Sequence, residues 1–242
     1  MSAHLAIPAT TTILRQLIED QLKKPYTGMT APKVFAAPPP RPPQPAGNNA
    51  APAEDTALYL YLHHVAANPA WRNMLDPSID SGGTHTGRPP LVLDLHYMLA
   101  ATGATLDREA LLGLGMTAFH RNPIVSKAKI AAVLGAIAVP AHPKNLGEIV
   151  GQEKLGEPAS QPEQLTITLE PLDIDMSTKI WSALFAPLRP SAYYLVTCVF
   201  LESDQPIPDG PLTETVGVAV DAADDLGEPA DLLERAIVSP AP

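Results

Sequence analysis

His63, Asp94 and His96 are the residues whose types and spacing come nearest to a chemical site. His63 falls in Leu58–Val65 (LYLYLHHV), and Asp94 and His96 fall in Leu91–Leu99 (LVLDLHYML). Both runs alternate with a period of two, as a strand does when its side chains point to opposite faces in turn. If the two strands pair, two imidazoles and a carboxylate share their less apolar side, the donor set of a two-His-one-carboxylate metal centre. Asp94 and His96 also have the types of a general base and the group that orients it. Against both readings, the spacing matches no ligand signature, and no nucleophile accompanies the pair. The chain has no glycine-rich phosphate loop and no paired CxxC, HExxH or GxSxG motif. The expectation is therefore a protein that is not an enzyme and uses no metal or cofactor. Asp94 and His96 are expected to be partner contacts on an exposed sheet face.

Cys198, the only cysteine, lies in an apolar run with no basic neighbour to lower its pKa. That suits a buried structural thiol and a reducing compartment. Trp71 and Trp181 are each large enough to anchor an interface, although a lone tryptophan more often fills a core. The net charge of −10 is unevenly placed: residues 203–242 hold nine acids against Arg235 alone. Neither the near-neutral body nor the acidic end carries the basic footprint of a nucleic-acid binder. There is no leader-like N-terminal pattern and no apolar run of about 18 residues. A cytoplasmic chain without membrane insertion is expected.

The elements that must position these residues centre on 89–123. There Leu91, Leu93, Leu95, Tyr97 and Leu99 form the apolar face of a strand, and Thr102-Gly103 makes a turn. Asp107 is expected to cap a helix with Leu111, Leu112, Gly115, Met116 and Phe119 on one face, ended by Asn122-Pro123. Upstream, Ile13, Leu14, Leu17, Ile18 and Leu22 recur at helical spacing behind the capping candidates Thr10, Thr11 and Thr12. A short strand suits 30–37. Residues 36–55 hold most of the eight prolines found between 31 and 52, and read as an exposed, polyproline-like insertion or arm. Downstream, Ser126 caps a helix over 127–138, and a short helical piece falls near 146–150. A half-exposed strand follows at 165–169, then a helix over 176–185 capped by Asp175 or Ser177. Ser191–Leu201 (SAYYLVTCVFL) is the most β-prone run. Residues 213–220 suit one added strand at an edge or paired with a partner, and 221–242 are acidic and weakly structured. These elements predict an α+β domain over 1–203, mainly antiparallel sheet with helices packed on one face, and an acidic extension over 204–242.

Several phrases in order carry a resemblance: LYLYLHHVAANPAWRN (58–73), PPLVLDLHYMLAATG (89–103), LLGLGMTAFHRNPIV (111–125), LTITLEPLDIDMSTKIWSAL (165–184) and SAYYLVTCVFLES (191–203), behind an N-terminal amphipathic helix. The sequence resembles the N-terminal domain of the cap, or tail terminator, of phage-tail-like contractile injection systems, over about residues 8–203. The proline-rich and acidic segments depart from the shared pattern. The resemblance implies a tail-terminator-like fold and a homo-hexameric ring on the tail end distant from the baseplate. That ring would bind the last inner tube protein and contractile sheath protein subunits and stop their polymerisation, as part of an assembled particle. Expected partner contacts are Asp94, His96, Trp71, Arg72, Thr213, Val216 and Val218. The alternatives are a tube-to-baseplate adaptor and, from another class, a small metal-dependent enzyme using His63, Asp94 and His96.

Overall fold

The computed structural model describes residues 3–44, 52–71, 91–157, 161 and 163–201. The strand predicted at 91–99 runs further, as β3 (Leu91–Thr102). It pairs antiparallel with β2 (Ala57–Ala67) on one side and with β6 (Ser191–Leu201) on the other. Beyond β6 lie β5 (Leu165–Glu170) and the two-residue β4 (Ile124–Val125), both antiparallel to their neighbours. At the opposite edge β1 (Lys33–Phe35) runs parallel to β2. The spatial order is β1-β2-β3-β6-β5-β4. The result is the α+β fold with a mainly antiparallel sheet that the patterns predict.

Three helices cover one face: α1 (Ala6–Lys23), α2 (Thr105–His120) and α3 (Lys127–Gly135). Leu14, Leu17 and Ile18 of α1, Leu111 and Phe119 of α2, and Ile130 and Leu134 of α3 pack on Leu95, Tyr97, Leu99, Tyr194 and Val196. Every second residue of β3 feeds this core, which is why one face of the sheet is apolar along its length. The fourth helix, α4 (Ile174–Ala183), lies on the other face. Its Trp181 is fully buried against Met98, Ala100 and Tyr193. Hydrophobic residues at even positions of β3 give that face a smaller core of its own.

Helix starts differ from those expected, for a common reason. Thr10, Thr11 and Thr12 lie inside α1, where their hydroxyls donate to the carbonyls of Ala6, Ile7 and Pro8 four residues back. Back-bonding of this kind satisfies the hydroxyl without a cap. Pro8 is tolerated because a first-turn N–H has no helical partner. Asp107 is a first-turn residue of α2, and the N-cap is Ala104, with no side-chain bond. Asp173, also without a side-chain bond, is the N-cap of α4, so neither Asp175 nor Ser177 serves. Ser126 does cap α3, accepting from the Lys129 N–H.

Two irregularities tune the sheet. In β2 the register steps from Leu62↔Tyr97 to His64↔His96, leaving His63 as an extra residue. In β6 it steps from Val196↔Leu95 to Val199↔Leu93, so Thr197 and Cys198 both stand opposite Asp94. Cys198 takes a left-handed backbone with φ 65°, as a bulge demands. The Gln161 side chain fills the gap: its amide donates to the Cys198 carbonyl, and its carbonyl accepts from the Phe200 N–H at 3.3 Å. Bulges concentrate where a side chain is re-aimed, and both of these lie beside the second face.

The described residues of the proline-rich segment are mostly exposed, as expected, but touch the body at a few points. Pro39 is buried, and the Arg41 guanidinium sits 4.9 Å from the centre of the Phe185 ring. Glu54 meets Arg189 at 2.7 Å and accepts from the Gly103 N–H.

Candidate interaction face

On the second face of the sheet α4 covers Met98 and Ala100, Trp71 packs on Phe200, and the polar residues singled out in the sequence lie between. His96 lies there, partly exposed, with its Nδ1 2.9 Å from Glu170 Oε2. His64 and His63 approach the same imidazole, with ring centroids 5.1 and 6.2 Å away. His63 also meets the edge of Tyr193 at 5.8 Å, and its Nε2 is buried without a hydrogen-bond partner. Burial is the main cause that lowers the pKa of His63; the nearby His96 and His64 add to it, and Glu170 opposes it. His63 is therefore held in its neutral form.

Pairing of β2 with β3 does bring His63 and His96 together, as their alternation implied. Asp94 does not join them. It is 8% exposed and accepts a 2.8 Å hydrogen bond from the Asn68 amide, so the expectation of an exposed partner contact is corrected. A carboxylate beside a bulge is cheap to bury only when a donor satisfies it, and Asn68 supplies one. The Asn68 carbonyl in turn accepts from the Ala70 and Trp71 N–H groups, tying down the turn after β2. With Asp94 committed, no three His, Cys, Asp or Glu side chains converge on a metal-binding arrangement among the described residues.

Trp71 is half-buried and packs edge-on against Phe200, centroids 4.9 Å apart. Arg72, Thr213, Val216 and Val218 lie outside the described residues, as does the strand expected at 213–220. Burial raises the pKa of the Cys198 thiol, which suits an unreactive residue. Alternation along β5 would have placed Glu170 on this face, but nothing in the sequence announces that it reaches across β6 to His96. Gln161 carries no pattern at all.

At the margins the surface is apolar. Ile174, Met176, Phe185 and Leu188 of α4 and its exit loop are exposed, as are Leu169 of β5 and Phe35 of β1. Phe185 stands at φ 54° as the left-handed residue that closes α4: its own N–H and that of Ala186 donate to the Ser182 and Trp181 carbonyls. A groove of about 610 Å³ runs beside α4, with Met116, Leu169, Leu172, Ile174 and Leu188 in its wall. Exposed aliphatic and aromatic side chains of this kind suit macromolecular contact.

A sequence model of the Pvc16 N-terminal domain family matches residues 9–215. The chain belongs to that family. It is the tail-terminator family of contractile injection systems to which the phrases of the sequence point. The solved structures similar to this Pvc16 N-terminal domain include the sheath/tube terminator of PVC, an extracellular contractile injection system, in its extended state. The two chains share 12% identity at a TM-score of 0.46, over 87% of this chain and 64% of that one. A second is the tube-terminating cap of the anti-feeding prophage, with 13% identity and a TM-score of 0.43, over 85% of this chain and 59% of that one. The chain thus spans less than two thirds of the length of either. No curated protein sequence matches it. No helix among the described residues is long and apolar enough to cross a membrane.

Proposed function

We propose that this protein is a structural cap: six copies form a ring on the end of a contractile injection tail and stop further addition of tube and sheath. Membership of the Pvc16 N-terminal domain family over residues 9–215 is the observation that carries the reading. The exposed apolar side chains at the margins of the sheet support it, because a ring that also grips two polymers needs several docking surfaces on each copy. A cyclic arrangement uses a head-to-tail interface in which two different patches meet. In this reading His96, Trp71 and the residues beyond 201 contribute contacts to tube or sheath, and the particle is assembled in the cytoplasm of the producing cell.

Electron microscopy of particles from a strain lacking the gene tests the proposal through tail length. Overlong or heterogeneous tubes with ragged ends are the expected result. Tails of normal, uniform length with intact ends would overturn it.

A further inference from the structure

The two margins of the sheet differ in a way that makes them complementary. At one margin β1 presents Lys33 and the Phe35 ring, which stacks on Tyr59 at 5.3 Å; Arg41 follows, lying over the exposed ring of Phe185. Both cations are exposed, and neither has a carboxylate partner among the described residues. At the other margin β4 pairs with β5 only at Thr166 and Leu165. Past the Ile167 N–H, which the Pro123 carbonyl accepts at 2.7 Å, the outer edge of Thr168–Glu170 has no strand beside it among the described residues. There Leu169 and Ile174 are 53% and 70% exposed, flanked by the exposed carboxylates of Asp173 and Asp175. The first margin thus offers Lys33, Arg41 and two aromatic rings, with the exposed carboxylate of Asp55 nearby, and the second offers Asp173, Asp175 and aliphatic side chains beside an open groove, with the Lys179 ammonium one turn along α4. They lie at opposite ends of the strand order.

We propose that the β1 margin of one copy docks on the β5–α4 margin of the next. The exposed Phe35 and Phe185 rings meet Leu169, Ile174 and the adjoining groove, while Lys33 and Arg41 face Asp173 and Asp175. The occupant of each margin is therefore a second copy of this chain. Charge complementarity of this kind fixes orientation and register more than it adds affinity. Because the two patches differ, the contact is heterologous, and an open run of copies keeps one free patch at each end until a ring closes. The inference rests on the ring reading above and assigns its interface.

Sedimentation of the purified full chain at micromolar concentration tests it with two reversed variants, K33E/R41E and D173K/D175K. K33E/R41E should melt close to the wild type, whereas D173K/D175K, which places two cations at the start of α4, should melt a few degrees lower while staying folded; both are checked alongside. Each variant alone is expected to associate at least about tenfold more weakly than the wild type. Mixed in equal amounts, the two fit each other at both margins and should co-assemble in alternation to the wild-type size, although neither does so alone. Combining all four reversals in one chain should restore the wild-type assembly. A wild type that stays monomeric would overturn the ring reading itself. Wild-type oligomers that neither variant weakens would leave the ring standing and overturn the assignment of its margins.

Discussion

Burial on the second face, the imidazoles of His96 and His64, and the opposing carboxylate of Glu170 set the protonation of His63. With its pKa lowered in the folded chain, the unfolded chain takes up the proton first as the pH falls. The stability His63 contributes is then complete above the ordinary histidine value of about 6.5 and is lost below it. Urea midpoints measured from pH 7.5 to 5 should fall more steeply for the wild type than for H63Q. Parallel curves would refute the account. Gly103 makes a second residue-scale test. It sits at φ 128°, and a Cβ there would lie 2.9 Å from the Thr56 hydroxyl oxygen. G103A should cost about 1–3 kcal/mol of unfolding free energy, read as a lower midpoint with an unchanged slope.

At the scale of elements, α4 is held on the second face chiefly by Trp181, whose indole N–H donates to Ser191 Oγ at 3.3 Å. Beside it, the Ser177 and Tyr193 hydroxyls meet at 2.7 Å. Removing a fully buried tryptophan costs about 3–5 kcal/mol, so W181A should lower the melting temperature by roughly 10 °C. A change of only a degree or two would mean that α4 hardly depends on this core. The sequence located these elements well where a long pattern repeats. Ser191–Leu201 has the bounds expected, and β3 overran its prediction only because Ala100, Ala101 and Thr102 extend the alternation weakly. It failed where one local bond competes with another, as at the threonines of α1 and the starts of α2 and α4. It also missed that α4 crosses to the second face, since the small apolar run of Met98 and Ala100 is too short to announce a second core. The site was half legible. Alternation put His63 and His96 on one side, but it had no means of showing that Asn68 would draw Asp94 into the fold.

For the whole molecule, the parallel pairing of β1 with β2 gives the proline-rich segment a task that its composition conceals. Two parallel neighbours cannot be joined by a tight turn; they need a connection of a dozen or more residues, usually a helix. Here the stretch between Phe35 and Ala57 makes that connection, with Pro39, Arg41 and Glu54 seated against the body along the way. Excising residues 38–53 should therefore detach β1 while leaving the antiparallel strands folded. The expected readout is near-normal circular dichroism together with lost self-association. Retained assembly would show that β1 is dispensable. The tract consequently behaves as a span of minimum length: apart from the few residues seated on the body it is free to drift in sequence over evolutionary time but not to shrink, and any relative that has lost it must have lost or rerouted the first strand as well.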